Sequence, residues 1–118
     1  MAGYQVYDLK TFTDEKGSLT PLELSEFIDF DVKRIYTVHK NNTVRGGHAH
    51  YNEEEFFFLT SGKCRARLNN GRDWLEIDMQ PNKTAIYVGN MVWHEFDSWS
   101  DEAVLVALSS TNYNPLRE

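Results

Sequence analysis

The chain has 118 residues, of which 41% are hydrophobic and 14% aromatic, so it can form the core of one domain over residues 1–118 and is not disordered. Its 18 acidic and 12 basic residues give a formal charge of −6, which argues against nucleic-acid binding because that requires a basic surface. The N-terminal residues carry no long apolar run, so we predict neither a signal peptide nor a membrane span and expect a cytoplasmic protein.

Short segments that favour β-structure follow one another along the chain and are separated by turn signals. Strands are predicted over residues 4–9, 17–24, 33–38, 54–59, 63–68, 74–79, 84–88, 92–99 and 103–109, and one short helical turn within residues 23–30. So many antiparallel strands in a chain of this length leave exposed edges unless the sheets close on one another. The pattern therefore predicts a β-sandwich or closed barrel with room inside for one small ligand.

The clearest predicted hairpin joins residues 63–68 to residues 74–79 through Asn70 and Gly71. Asn-Gly supplies the two positive-φ positions of a tight type I′ turn. Cys64, Ala66 and Leu68 alternate along the first strand and are predicted to face the core. The strand over residues 54–59 is dense in phenylalanine, and we expect it to be covered on both faces.

Three of the four histidines fall in two clusters. His48 and His50 are two residues apart, so an extended backbone would project both side chains from the same face. The glycines that precede them, Gly46 and Gly47, permit a close approach of backbone or ligand. His94 lies on a later predicted strand, which a barrel can bring beside the first pair.

The spacing of His48, His50, Glu55 and Gly62 fits the first sequence motif of cupins, and His94 fits the second. We therefore expect an all-β cupin fold, the RmlC-like jelly-roll barrel. In metal-binding cupins the positions of the three histidines and Glu55 are the metal ligands. Such a set suits Fe(II), Mn(II), Zn(II) or Ni(II).

A more specific resemblance runs from about residue 14 to residue 113. Its pieces are Lys16-Gly17-Ser18-Leu19, Lys33-Arg34-Ile35-Tyr36, residues 45–50, residues 62–68, Tyr87-Val88-Gly89, Val92-Trp93-His94-Glu95 and Ala107-Leu108-Ser109. In this order they resemble the dTDP-4-keto-6-deoxyglucose 3,4-ketoisomerases, which are WxcM-like cupin sugar isomerases. Those enzymes usually have arginine where this chain has Lys16, and glutamine where it has Glu55.

The resemblance implies an isomerase that moves the ketone of a dTDP-linked 4-keto-6-deoxyhexose from C4 to C3 in the synthesis of deoxyamino sugars for surface polysaccharides. The C3 proton is acidic because it is α to the ketone, so a base removes it and C4 is then protonated. Histidine suits this work because it titrates near neutral pH. The resemblance also implies that the protein needs no cofactor or metal and that it is a homodimer.

By the same resemblance, His50 is the base and His48 is its partner. Tyr36 is expected to donate a hydrogen bond to a sugar oxygen or to relay a proton. Arg45 and Lys16 are the candidates for the diphosphate. Three further residues are predicted to bind substrate, with two beside the sugar or the thymine and one at the polar end of the cavity: Tyr87, Trp93 and His94.

Other functions stay open at this stage. A metal-dependent cupin enzyme would use His48, His50, Glu55 and His94 as ligands, whereas a non-catalytic cupin would bind the sugar nucleotide without turnover. A 3,5-epimerase also begins with proton abstraction next to C4, but residues 45–50 and the short chain favour the ketoisomerase. If Glu55 is not a ligand, we expect it to form an ion pair with an arginine.

Overall fold

The computed structural model describes residues 3–39 and 42–113 and consists mainly of β-strands. The one helical element among these residues is a 3-10 helix at Leu24–Glu26, and no helix in this part of the chain is long and apolar enough to cross a membrane. The strands, in chain order, are β1 (Tyr4–Asp8), β2 (Phe12–Asp14), β3 (Gly17–Leu19), β4 (Arg34–His39), β5 (Arg45–His48), β6 (Glu55–Ser61), β7 (Cys64–Asn69), β8 (Trp74–Met79), β9 (Thr84–Val88), β10 (Trp93–Asp97) and β11 (Val104–Ser109).

The strands form two main sheets and one separate hairpin. The five-stranded sheet has the order β1-β9-β6-β11-β4, the four-stranded sheet has the order β5-β10-β7-β8, and β2 pairs only with β3. All of these pairings are antiparallel. Two facing antiparallel sheets with strands that are distant in sequence side by side are the jelly-roll arrangement that the sequence predicts.

The main apolar core lies between the two sheets, as the alternation in β7 predicts. Cys64, Ala66 and Leu68 point into it and are all buried, together with Val38 from the opposite sheet. Burial raises the pKa of the Cys64 thiol to about 12, so this cysteine is a neutral packing residue rather than a nucleophile.

A second apolar cluster covers the outer face of the five-stranded sheet. Along β6, Phe57 points into the main core and Phe56 points into the outer cluster, and both are buried. The segment around the 3-10 helix supplies Phe27, whose ring stacks on Phe56 at a centroid distance of 5.6 Å. Strand β6 is therefore covered on both faces, as predicted, and it carries Glu55 at its first position.

The turn between β7 and β8 differs from the prediction. The strands pair up to Asn69 and Trp74, which leaves residues 70–73 as the loop. Gly71 has a φ of +97°, whereas Asn70 is not among the positive-φ residues, so the predicted type I′ turn is wrong. Instead, the side-chain oxygen of Asn70 accepts a hydrogen bond from the backbone N–H of Asp73 at 3.1 Å.

The predicted strand over residues 17–24 is also shorter than expected, because β3 ends at Leu19. The sequence analysis missed β2, which pairs with β3 through the polar turn that contains Lys16. Phe12 and Leu19 are partners across this hairpin, and they are 61% and 66% exposed. The missed strand has an entirely exposed burial pattern, so it lacks the alternation that marks a half-buried strand.

Candidate active site

A cavity of about 530 Å³ lies between the two sheets, in the size range of small-molecule sites. Strands of both sheets line it, and its residues divide into an apolar group and a polar group. The apolar group is Ile35, Val38, Phe57, Phe96 and Leu105, and the polar or ring-bearing group is Arg34, Tyr36, Arg45, His48, His50, Glu53, Glu55, His94 and Tyr113. The backbone of Gly46 completes the lining.

The pairing of β5 with β10 brings two distant histidines together. His48 lies opposite His94 in the register of these strands, and their ring centroids are 4.9 Å apart. The strands approach so closely at Gly46 that a Cβ atom there would lie 2.9 Å from the carbonyl oxygen of His94. Gly46 also has a φ of +89°, so glycine is required at this position on two counts, as the sequence suggested.

His50 completes the group of three imidazoles. Strand β5 ends at His48, so His50 lies on the connection to β6 rather than on an extended strand. Its ring centroid is nevertheless 4.5 Å from that of His48 and 5.7 Å from that of His94. The structure therefore brings together the three histidines that the sequence analysis selected.

Glu55 lies at the centre of the polar lining and joins both sheets. The Tyr36 hydroxyl donates a hydrogen bond of 2.5 Å to its Oε2 atom, and the Nε2 atom of His94 lies 3.3 Å from its Oε1 atom. The other ring nitrogen of His94 lies 3.2 Å from the carbonyl oxygen of Val92. The arginine partner that we considered for Glu55 belongs instead to Glu53.

The environment shifts the ionisation of Glu55 and Tyr36 in opposite directions. Burial by itself would raise the Glu55 pKa, but hydrogen bonds from His94 and Tyr36 outweigh it, so the pKa is lowered and the group is a carboxylate at neutral pH. Burial and the neighbouring Glu55 raise the pKa of Tyr36 far above its ordinary value. Tyr36 is therefore a neutral hydrogen-bond donor throughout the physiological range.

A second buried carboxylate, Glu53, was not selected from the sequence. Its Oε2 atom accepts a hydrogen bond of 3.0 Å from Arg34 Nη2 and one of 2.7 Å from Ser109 Oγ. Its Oε1 atom lies 3.6 Å from His50 Nδ1. A signal for Arg34 existed, since it shares a strand face with Tyr36. No signal existed for Glu53, because its position depends on the path of the chain between β5 and β6.

The other predicted substrate-binding residues fall into two groups. Arg45 lines the cavity and is exposed, so its guanidinium is accessible to a bound anion. The structure does not bring Lys16, Tyr87 or Trp93 into the cavity lining. Lys16 is in the β2–β3 turn, the Tyr87 hydroxyl donates to Glu54 in contact with the outer apolar cluster, and the Trp93 ring N–H donates to Glu95.

Two overlapping groups among the described residues could hold a metal ion. In one, the ligand atoms of His48, His50 and His94 all lie within 4.8 Å of one another, and in the other the same holds for His50, Glu53 and Glu55. Three imidazoles fit a divalent transition metal by their chemistry. Glu55 does not join the histidine group, and its oxygens already interact with Tyr36 and His94.

Fold and site together define a cupin-type jelly roll with a histidine-lined cavity between its sheets. The family model FdtA, described as WxcM-like, C-terminal, matches residues 2–116, and the chain belongs to this family. A curated relative from Aneurinibacillus thermoaerophilus, TDP-4-oxo-6-deoxy-alpha-D-glucose-3,4-oxoisomerase, is 34% identical over 112 residues, which cover 93% of this chain and 81% of the relative. The family predicted from the sequence is thereby confirmed.

Solved structures of 3,4-ketoisomerases share the fold. An enzyme from Helicobacter canadensis is 31% identical, with a TM-score of 0.85 over 96% of this chain and 86% of its own. The WlaRB TDP-quinovose 3,4-ketoisomerase from Campylobacter jejuni is 30% identical, with a TM-score of 0.86 over 98% and 90%. A histidine-to-asparagine mutant of QdtA from Thermoanaerobacterium thermosaccharolyticum, in complex with TDP-4-keto-6-deoxyglucose, is 26% identical, with a TM-score of 0.86 over 98% and 86%. These matches confirm the predicted cupin fold.

Proposed function

We propose that this chain is a nucleotide-sugar 3,4-ketoisomerase that converts TDP-4-keto-6-deoxyglucose to its 3-keto isomer. The observation that carries the proposal is the cavity, which is lined by the imidazoles of His48 and His50 and by the neutral hydroxyl of Tyr36. The name of the relative from Aneurinibacillus thermoaerophilus, a TDP-4-oxo-6-deoxy-alpha-D-glucose-3,4-oxoisomerase, and the sugar bound to the QdtA mutant support this choice of substrate.

The first step is proton abstraction by His50. The C3–H bond breaks, its proton moves to a ring nitrogen of His50, and the electron pair forms the C3=C4 bond of an enediolate. The former ketone oxygen on C4 then carries negative charge. No oxidant or reductant is consumed, because the substrate and the product are isomers of each other. A correctly placed general base contributes on the order of 10²- to 10⁴-fold to such a rate.

In the second step a proton is returned to C4, the hydroxyl on C3 loses its proton and becomes the ketone, and the C4 oxygen takes up that proton and becomes a hydroxyl. His48 is the partner of His50 in this exchange, since their ring centroids are only 4.5 Å apart. Tyr36 keeps its proton and therefore supplies a hydrogen bond to the oxygen on which charge develops. In the ligand-free structure the same hydroxyl donates to the carboxylate of Glu55.

The nucleotide portion requires cations outside the reacting cluster. Arg45 is the proposed ligand of the diphosphate because it lines the cavity and is exposed. His94 is proposed to bind the sugar at the polar end of the cavity. The proposed contacts of Lys16, Tyr87 and Trp93 with the substrate rest on the sequence resemblance alone.

The proposal includes the oligomeric state of the protein and its role in the cell. We expect a homodimer, and the exposed apolar pair Phe12 and Leu19 on the β2–β3 hairpin supports a subunit contact. Sedimentation equilibrium of the wild-type protein measures this directly. We place the reaction in the cytoplasm, before an aminotransferase that acts on the 3-keto sugar during the synthesis of surface polysaccharides.

A metal-dependent isomerase is the second candidate, and the observation that favours it is the histidine group with ligand atoms within 4.8 Å. His48, His50 and His94 would hold the ion. A bound divalent metal would act as a Lewis acid on the sugar oxygens. This candidate predicts that metal copurifies in a 1:1 ratio and that its removal abolishes turnover.

The test follows TDP-4-keto-6-deoxyglucose by proton NMR with EDTA-treated protein, and repeats the assay after adding Fe(II), Mn(II), Zn(II) or Ni(II) in turn. We expect 3-keto product in EDTA at a rate that added metal does not raise. Turnover only with metal would favour the second candidate. Binding of the substrate without turnover under every condition would contradict both and leave a binding protein.

A further inference from the structure

The carboxylate of Glu53 is buried beside the proposed catalytic base, and the mechanism above does not use it. The residue is 4% exposed, so its charge must be compensated by neighbouring groups. Arg34 and Ser109 supply two hydrogen bonds, and both end on the same oxygen, Oε2. The second oxygen, Oε1, is thereby directed at His50.

The strand register fixes this arrangement. Arg34 on β4 pairs with Ser109 on β11, and Ser109 pairs in turn with Glu55 on β6. Arg34, Ser109 and Glu55 are thus aligned across three neighbouring strands, and Glu53 lies two residues before Glu55 in the chain. Ser109, on the middle strand of the three, donates a hydrogen bond to Glu53. The carboxylate is therefore anchored to the rigid five-stranded sheet, whereas His50 lies on the connection between β5 and β6.

Two carboxylates compete for a proton on the His50 ring. Glu53 Oε1 lies 3.6 Å from Nδ1, and Glu55 Oε1 lies 3.9 Å from Nε2. Glu55 Oε1 has a closer neighbour in His94 Nε2, at 3.3 Å. Among the residues that the structure describes, His50 is the nearest hydrogen-bond or ion-pair partner of Glu53 Oε1. The contact at 3.6 Å is longer than a hydrogen bond, but such contacts in ligand-free sites tighten when substrate binds.

We infer that Glu53 is a positioning residue that holds His50 as the tautomer protonated on Nδ1, so that the lone pair on Nε2 is free to take the C3 proton. A carboxylate only accepts hydrogen bonds, so the ring nitrogen that faces it carries the hydrogen. This inference rests on the proposed function for its catalytic meaning. The tautomer itself is a property of the protein alone.

The isosteric change Glu53→Gln distinguishes positioning from packing. Arg34 and Ser109 donate to the buried oxygen, so the amide oxygen of glutamine takes that place and the amide N–H group is directed at His50 Nδ1. That nitrogen then becomes an acceptor, the ring proton moves to Nε2, and the base is blocked. A change of this kind, carboxylate to amide beside a catalytic histidine, costs about 10⁴-fold in kcat in serine proteases through the wrong tautomer.

The test combines ¹⁵N NMR of histidine-labelled protein with steady-state kinetics. The chain has only four histidines, and His50→Asn assigns the His50 signal. We expect the Nδ1–H form in the wild type, the Nε2–H form in Glu53→Gln, and a fall in kcat of about 10²- to 10⁴-fold with little change in KM. The matched control is Glu54→Gln, an adjacent carboxylate that accepts from Tyr87 away from the cavity, and we expect wild-type kcat and tautomer.

Two results would overturn the inference. One is a wild-type His50 in the Nε2–H form, which decides the matter even if Glu53→Gln does not fold. The other is a folded Glu53→Gln protein whose kcat falls no further than that of Glu54→Gln. An inactive wild-type protein would instead overturn the proposed function, and the tautomer would still decide whether Glu53 orients His50.

Discussion

Glu55 connects Tyr36 on one sheet to His94 on the other. Its carboxylate accepts from Tyr36 and contacts His94, and a glutamine in its place can accept from Tyr36 while its amide donates to His94 Nε2. Because glutamine keeps both of these contacts, we expect Glu55→Gln to lower kcat/KM by less than about tenfold, the value of one hydrogen bond. A complete loss of turnover in a folded Glu55→Gln protein would contradict this expectation.

The hydroxyl of Tyr36 stabilises the buried carboxylate of Glu55. Removing its hydroxyl leaves Oε2 of Glu55 without its donor, so we expect Tyr36→Phe to lower the free energy of unfolding by about 1–3 kcal/mol. Urea denaturation measures this. The comparison is Tyr87→Phe, which removes an equally short hydrogen bond to the less buried Glu54, and we expect a smaller loss. Equal losses would contradict the account of Glu55 as a desolvated charge.

Among single residues, the sequence was sufficient to select the three histidines of the cavity and insufficient to select the buried carboxylate of Glu53 beside them. The spacing of His48 and His50 and the motif around His94 select the three imidazoles that the structure assembles. Glu53 could not be selected, because its role depends on which oxygen Arg34 and Ser109 occupy. Such three-dimensional contacts leave no periodic signal in a chain.

At the scale of elements, the contact between β5 and β10 determines whether the histidines meet. Gly46→Ala would place a Cβ atom 2.9 Å from the His94 carbonyl oxygen, so the strands must separate and His48 must move away from His94. A displacement of about 1 Å in a catalytic group can cost about 10²-fold in rate, and we expect a loss of this order in kcat.

The matched control for that prediction is Gly47→Ala. Gly47 also has a positive φ, +76°, but the nearest atom to its Cβ would be in the Trp93 ring at 3.7 Å, an ordinary contact. Both variants lose stability through backbone strain of about 1–2 kcal/mol. Only Gly46→Ala is expected to lose activity as well as stability. Equal kcat values in the two variants would count against a role for the close contact between β5 and β10.

Strand existence was easier to predict than strand partnership. Alternation in β7 and the phenylalanines of β6 gave the correct faces, because both patterns follow directly from burial. The prediction of a two-residue turn after β7 was wrong. The side-chain oxygen of Asn70 accepts a hydrogen bond from the backbone of Asp73 and so stabilises a different turn. The neighbours of β6, which are β9 and β11, are far away in sequence and carry no local signal.

At the scale of the whole molecule, the lowered carboxylate pKa values predict sensitivity to acid. Hydrogen bonds from Arg65 lower the Asp97 pKa, and those from His94 and Tyr36 lower the Glu55 pKa against the effect of burial. A group with a lower pKa in the folded state contributes stability above its unfolded pKa, and that contribution is lost as the pH falls through the folded pKa.

We therefore expect the urea midpoint to be constant near neutral pH and to fall below about pH 5. Asp97→Asn removes one titrating group, so it should lower the midpoint at neutral pH and reduce the drop on acidification. The Arg65–Asp97 pair, at 2.9 Å, lies on the outer face of the four-stranded sheet, so the substitution leaves the cavity unchanged. An acid limb as steep in the variant as in the wild type would contradict the assignment of Asp97.

The assignment of His50 as the base is best tested by the exchange of the C3 proton of TDP-4-keto-6-deoxyglucose in D₂O, followed by proton NMR for the wild-type protein and for His50→Asn. We expect the wild type to exchange this proton, and His50→Asn to bind the sugar nucleotide without measurable exchange. Exchange by His50→Asn at the wild-type rate would contradict the assignment of His50 as the base.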